Sequence, residues 1–329
     1  GDFNVPMNNI ANFLNEAALP TNNILARITG GDISTIFGTI QTTGFDNANL
    51  FLMNPNGFLF GQSATVNIGG MATFTTAEYM RLDGGRFNAN PNTTLADLLT
   101  ATPVTAFGFI GSAHAINFKG GQLTVANGNG VTLVGGDINL LPDSSGTPSG
   151  ITAPGRQIRL TSVAARPGEV AADTVVPAPG VTLGNITLDQ SAVLSTAGNL
   201  AFAGGSGGSV SIRGGQLVAT DVTINTTPAA LSPGSGGDVI VSFTNSATFT
   251  NSIIQTNDGP QADGSLLSAG PAGAVSIDAN NSLTLSNTTI DASTISAAGN
   301  SGMVKLATNG PLSLTDSKIF TFSIDSGNG

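Results

Sequence analysis

Short runs of alternating apolar and polar residues, punctuated by Gly, Asn and Pro, fill the second half of the chain. The clearest set begins at Gly207-Gly-Ser-Val-Ser-Ile212 and returns as Gly236-Gly-Asp-Val-Ile-Val241, Gly273-Ala-Val-Ser-Ile277 and Gly302-Met-Val-Lys-Leu306. Aligned on Val210, Val239, Val275 and Val304, the steps are 29, 36 and 29 residues. Eight residues after each valine stands a second small or apolar position: Val218, Ala247, Leu283, Leu312. A third follows, clearest at Ile254, Ile290 and Ile319. Period-two alternation places the apolar members of each run on one face of a strand. Three short strands with one apolar face cannot make a core alone, but stacked copies can. The pattern therefore predicts an all-β fold, a right-handed parallel β-helix with three short strands per coil. The longer step of 36 falls in residues 256–270, where a solenoid tolerates insertion.

The same grammar is visible earlier. Residues 24–28, 33–40, 49–53, 58–60, 65–68 and 72–74 read as strands, followed by 120–125, 130–134, 135–140, 181–183 and 186–188. Residues 142–180 are rich in Pro and Gly and read as an excursion around a strand pair at 158–163. Two weak helix candidates stand out: residues 8–18, bounded by Pro6 and Pro20, and Thr94-Leu-Ala-Asp97, a capping-box pattern leading into Leu98. About twelve coils at ~4.8 Å each give a rod near 55–60 Å. Both ends of that rod are expected to be open, the chain stopping at Ser326-Gly-Asn-Gly329 without a polar cap.

Composition narrows the class. Charged residues are only 9%, the net charge is −10, Gly numbers 44 and Cys is absent among 329 residues. Ten Lys and Arg in an acidic chain do not form the clustered cations that a phosphate backbone needs, so no nucleic-acid partner is expected. The missing Cys removes zinc ribbons and thiol redox sites. Twelve of the 17 phenylalanines precede residue 119, so the first part is packed around aromatic rather than aliphatic side chains. This divides the chain into 1–115 and 116–329.

The segment Ala48-Asn-Leu-Phe-Leu-Met-Asn-Pro-Asn-Gly-Phe-Leu-Phe-Gly61 sets a turn between two apolar strands. Pro55 presets φ at the second turn position, Asn56 and Gly57 accept positive φ, and Asn54 can bond the backbone ahead of it. The segment resembles the Asn-Pro-Asn-Gly motif in the secretion domain of the filamentous haemagglutinin family, exoproteins of two-partner secretion. Phe3-Asn-Val-Pro6, residues 28–40, Ala64-Thr-Val-Asn-Ile-Gly-Gly70, Ala106-Phe-Gly-Phe109, residues 133–138 and residues 159–170 also resemble that family, in order. The resemblance spans about residues 1–170 by motif and the rest by repeat style. It implies that Asn54, Pro55, Asn56 and Gly57 nucleate folding and serve recognition by an outer-membrane transporter partner. It further implies secretion to the surface of a bacterium with an outer membrane, and an adhesive role with a surface glycan or cell receptor as target. Family secretion domains usually begin earlier, so the N-terminal part of this one is expected to be missing.

Nothing in the sequence adds catalytic chemistry to this. His114 is the sole histidine, without a second His or a Cys to complete a constellation. Gly204-Gly-Ser-Gly-Gly208 matches a nucleophile-elbow pattern but precedes a strand of the repeat and reads as a glycine turn. No Asp-x-Asp or adjacent Asp pair occurs among the 17 Asp. No cofactor, no metal and no catalytic residue is expected, and the chain reads as a non-enzymatic adhesin. Two alternatives stay open: a filament subunit self-associating end to end through open β-helix ends, and a polysaccharide-active β-helix enzyme whose carboxylates converge across coils.

Overall fold

In the computed structural model of the chain, the described residues are all but 92–96, 98–101, 128, 165–166, 201–202, 230–231, 258–269, 295–298 and 324–329. Three parallel sheets run the length of the molecule. Sheet I has nine strands: Asn23–Arg27, Asn49–Met53, Met71–Thr75, Gly130–Gly135, Gln157–Ser162, Val210–Gly214, Val239–Phe243, Val275–Ala279 and Val304–Ala307. Sheet II also has nine, from Ser34–Ile36 to Leu312–Thr315, and sheet III ten, from Ile10–Leu14 to Lys318–Phe320. Each coil contributes one strand to I, then II, then III, as in Val210–Gly214, Gln216–Thr220 and Thr223–Asn225. This is the parallel β-helix with three strands per coil. Ten strands stacked ~4.8 Å apart make it about 45 Å tall, shorter than twelve coils would be, because many residues leave the stack.

The inward side chains form one hydrophobic cluster from Val5 to Ala292, unbroken across residue 115. The valine alignment holds: Val210, Val239, Val275 and Val304 are register partners in sheet I. So do Ile254, Ile290 and Ile319 in sheet III. Val218 does not. It is 39% exposed and pairs with Thr248, while Leu217 fills the core position beside Ala247. The turn after Val210–Gly214 is one residue shorter than its successors, and a shift of one residue reverses the face in a strand.

Aromatic packing is concentrated early, as expected. Phe60 stacks on Phe118 at 4.7 Å and meets Phe74 edge-on at 5.0 Å. Residues 8–18 are not helical but hold the strand Ile10–Leu14, with Asn8 and Ala18 at positive φ just outside it. Residues 33–40 are two strands, Ser34–Ile36 and Thr39–Thr43, because the chain turns at Gly38 against the carbonyls of Pro6 and Asn9. Most of 94–98 lies outside the described residues, as do most of the inserted loop 256–270 and the last six residues.

The excursion also differs from expectation. Gly150–Thr152 and Gln157–Ser162 remain in sheets III and I. Instead, residues 76–115 and 163–184 leave the stack at the same corner, between sheets I and II, two coils apart. Together they build a fourth, antiparallel sheet ordered Gly85–Asn88, Tyr79–Leu82, Val104–Phe109, Gly168–Ala171. Its apolar face covers sheet I from outside, joining Met80, Phe107, Phe109 and Val170 to Phe51, Met53 and Val134. Asn49–Met53 and Gly130–Gly135 are thus buried on both faces, which explains their continuous apolar runs.

Candidate functional site

Asn54, Pro55, Asn56 and Gly57 form the turn between the strands Asn49–Met53 of sheet I and Phe58–Phe60 of sheet II. Asn54 is fully buried. The Gly57 N–H donates to the Asn54 carbonyl at 3.1 Å, closing the turn, and the Asn56 N–H donates to Asn54 Oδ1 at 3.0 Å. Gly57 has φ +107, and a Cβ there would lie 2.7 Å from the Ala115 carbonyl oxygen. Both facts require glycine.

The turn is tied to the coils on either side. Toward the preceding coil, Asn54 Nδ2 donates to the Asp32 carbonyl at 3.1 Å and to Ser34 Oγ at 2.9 Å. Asn56 Nδ2 donates to the Gly30 carbonyl at 3.0 Å, and the Ser34 N–H donates to the Gly57 carbonyl at 3.1 Å. Toward the following coil, the Asn54 N–H donates to the Thr75 carbonyl at 3.0 Å and the Phe58 N–H to the Ala115 carbonyl at 3.3 Å. Thr75 and Ala115 flank the 76–115 excursion. The four motif residues therefore hold three coils in register and grip the Thr75 foot of the excursion, while Phe58, which follows them, holds the other foot at Ala115. The sequence pointed to the turn but not to its partners, since Ser34, Thr75 and Ala115 carry no turn signal of their own.

The excursions are fastened by charge. Arg27 of sheet I pairs with Asp97, and its guanidinium lies 4.8 Å from the Phe87 ring centre. Burial opposes the charge on Asp97, but hydrogen bonds from the Asn88 backbone and from Arg27 outweigh it and hold the carboxyl below the usual carboxylate range. Glu169 of the second excursion accepts from the Tyr79 hydroxyl at 2.9 Å and pairs with Arg81 at 3.2 Å, both in the first. Arg86 covers the Tyr79 ring at 3.4 Å, and the ring lies over Gly108, where a Cβ would meet it. Desolvation, reinforced by Glu169, raises the Tyr79 pKa.

A cleft of about 410 Å³ opens beside the turn, between Pro55 and Asn56 on one side and Ala89, Asn90 and Pro91 on the other. His114 is exposed and reaches the site only through its neighbouring backbone, its carbonyl accepting from the Gly136 N–H at 2.8 Å. Ser206, in the glycine-rich turn, accepts from the Ser235 N–H at 3.3 Å in the next coil. That is a contact between stacked turns. Among the described residues no three His, Cys, Asp or Glu side chains gather in a group able to hold a metal ion.

The family model described as TPS secretion domain matches residues 1–212. Among solved structures, the crystal structure of the HMW1 secretion domain from Haemophilus influenzae is similar at 17% identity and a TM-score of 0.45, covering 98% of this chain and 91% of that one. No curated protein matches.

Proposed function

Because this chain belongs to the TPS secretion domain family, and so to a two-partner-secretion exoprotein exported through an outer-membrane transporter, we propose that it serves as a rigid, non-enzymatic adhesin whose Asn54–Gly57 turn starts folding as the chain emerges. The turn's bonds to both neighbouring coils support this reading. A coil of a parallel β-helix gains little until a second coil is registered on it, so a corner that fixes two neighbours at once lowers the entropic barrier to the first stack. The transporter partner meets the same region during export. The bare coils present uncharged columns, such as Thr248, Thr284 and Ser313 in register on sheet II. Such columns suit contact with a polar cell surface or glycan.

The test is export in a host that supplies the partner transporter. Asn54→Ala and Gly57→Ala are expected to reduce the exported protein at least tenfold. Ser63→Ala, on an exposed turn one corner away, should export like the parent. Export of both motif variants at the parental level would remove the nucleating role. For the adhesive part, beads coated with the purified chain should adhere to a target cell surface, and beads that fail on every surface tried argue against it.

A further inference from the structure

A second cleft, of about 210 Å³, lies on the outer face of sheet I where the covering sheet stops. Thr73, Thr132 and Arg159 stand in register on three successive strands and line it. Thr73 and Thr132 are 3% and 2% exposed. Neither hydroxyl is hydrogen-bonded to any described residue. Both hydroxyl oxygens nevertheless open onto the cleft, because the buried side-chain polar atoms without a partner among the described residues are Arg86 Nε and Arg213 Nε; valine would fill the same space, as Val134 does two residues along the strand from Thr132. Two such hydroxyls facing one cleft are donors and acceptors waiting for a ligand.

The third member of the row fits this. The Arg159 guanidinium is half-buried and bonds only neutral acceptors, the Asp173 carbonyl and Gln157 Oε1. Burial lowers its pKa, and the Asp173 charge partly offsets that. Asp173 Oδ1 accepts from the Thr174 N–H at 2.7 Å and from its hydroxyl at 3.2 Å. The cleft thus brings one cation and one carboxylate, a balance that favours neither an anion nor a cation. Phe51 and Val104 supply an apolar wall. The volume is below the ~300 Å³ at which sites for drug-sized ligands begin, so it suits one small ring.

We infer that this cleft is a subsite for one neutral sugar residue of a glycan, its ring against Phe51 and Val104 and its hydroxyls bonded by Thr73, Thr132 and Arg159. The assignment deepens the adhesive reading and rests on it for its biological use. It is distinct from the Asn54–Gly57 turn and from the transporter contact.

The test uses the purified full chain and the methyl glycosides of glucose, galactose, mannose and N-acetylglucosamine, with methyl glucuronide as the acidic control, read by saturation-transfer NMR. At least one neutral glycoside is expected to bind. Thr73→Val and Thr132→Val should each weaken it about tenfold, the loss of one hydrogen bond, and together abolish the signal. Both variants should keep the parental melting temperature, because each hydroxyl opens onto the cleft and bonds no described residue. Failure of all four neutral glycosides, binding of the glucuronide alone, survival of binding in the double variant, or a lowered melting temperature would each overturn the assignment. Bead adhesion separates the two readings. Adhesion retained by the double variant removes this subsite and leaves the adhesin, whereas sugar binding without adhesion leaves the subsite and removes the adhesin.

Discussion

Up to about residue 190 and beyond it, the coils share one core, yet they are held together differently. The early coils have an aromatic interior and a second apolar layer: Phe58, Phe60, Phe74 and Phe118 meet inside, while the fourth sheet buries Phe51, Met53 and Val134 from outside. Among the described residues the late coils have no such cover. The strands Val210–Gly214, Val239–Phe243 and Val275–Ala279 alternate between buried and open positions. Their cohesion comes from repeated polar devices at the corners. Thr196, Thr226 and Thr256 each donate a side-chain hydrogen bond to the carbonyl of Gly208, Gly237 and Gly273, across the base of the loop that joins one coil to the next. Gly208 and Gly237 return a backbone bond at 2.8 Å to the same threonines. The loop beyond the clasp is thereby free to vary in length, which accounts for steps of 29 and 36 residues within one regular stack.

The comparison is broken most forcefully at the two core phenylalanines. Phe60 and Phe249 are both fully buried in sheet II. Phe60→Ala and Phe249→Ala should each cost about 3–5 kcal/mol from lost burial and the cavity left behind. Phe60 additionally loses ring contacts with Phe58, Phe74 and Phe118, while Phe249 is flanked in register by Ala219 and Leu285. Since aromatic pairs add about 0.5–1.5 kcal/mol beyond area, urea unfolding should place Phe60→Ala below Phe249→Ala. Equal losses would mean that the aromatic interior adds no more than its area.

A smaller effect tests the corner devices. Thr226→Val removes the bond to Gly237 and leaves a buried carbonyl short of a donor, which should cost about 1–3 kcal/mol. The same substitution at Thr132, whose hydroxyl has no protein partner among the described residues, should leave the stability unchanged. A Thr226→Val protein as stable as the parent would show that the clasp only accompanies the stack and does not hold it.

The two regions also differ in how well the sequence announced them. In the late coils the alternation is clean, and Val210, Val239, Val275 and Val304 could be aligned by eye onto their true register. The one error, Val218 for Leu217, came from a corner shortened by a residue, which no hydrophobic pattern marks. A further signal went unread. Asp221, Asn251, Asn287 and Asp316 all have φ near +50 at the corner between sheets II and III. Asn and Asp tolerate that region better than other side chains, so their recurrence at steps of 30, 36 and 29 marks every turn. In the early coils two layers compete for the same strands. Leu50 and Leu52 face inward while Phe51 and Met53 face outward, so the alternation vanishes into a continuous run. The 76–115 excursion was illegible because its strands Tyr79–Leu82, Gly85–Asn88 and Val104–Phe109 carry no trace of the coil repeat and pair antiparallel among themselves and with Gly168–Ala171. What did survive was turn chemistry: Asn54-Pro-Asn-Gly57 marked a corner correctly, although only the structure reveals which carbonyls Asn54 reaches. The Thr73–Thr132–Arg159 row was not legible at all, since it exists only through the registration of strands far apart in sequence.

The finest distinction concerns how the two excursions are joined, and the chain supplies its own probe. Tyr79 is the sole tyrosine and Trp is absent, so the ultraviolet absorbance of phenolate reports one residue. Desolvation first, then the hydrogen bond and charge of Glu169, raise the Tyr79 pKa from its ordinary value. A pKa raised on folding means that the neutral phenol is favoured in the native protein. Its contribution to stability is complete below the unfolded-state value of about 10 and is lost as the pH rises through the higher native value. An alkaline titration should therefore find the native midpoint above that of the urea-unfolded chain. Glu169→Gln should bring the native midpoint down without restoring the unfolded value, because the larger cause, burial beneath Arg86 and against Gly108, remains. Tyr79 lies in the first excursion and Glu169 in the second, so the drop on Glu169→Gln measures how far the clasp between them sets the environment of the ring, and the gap that remains measures the packing. A midpoint unmoved by Glu169→Gln would mean that the two excursions are held by their apolar layer and the strand pairing of Val104–Phe109 with Gly168–Ala171, with the polar clasp adding nothing.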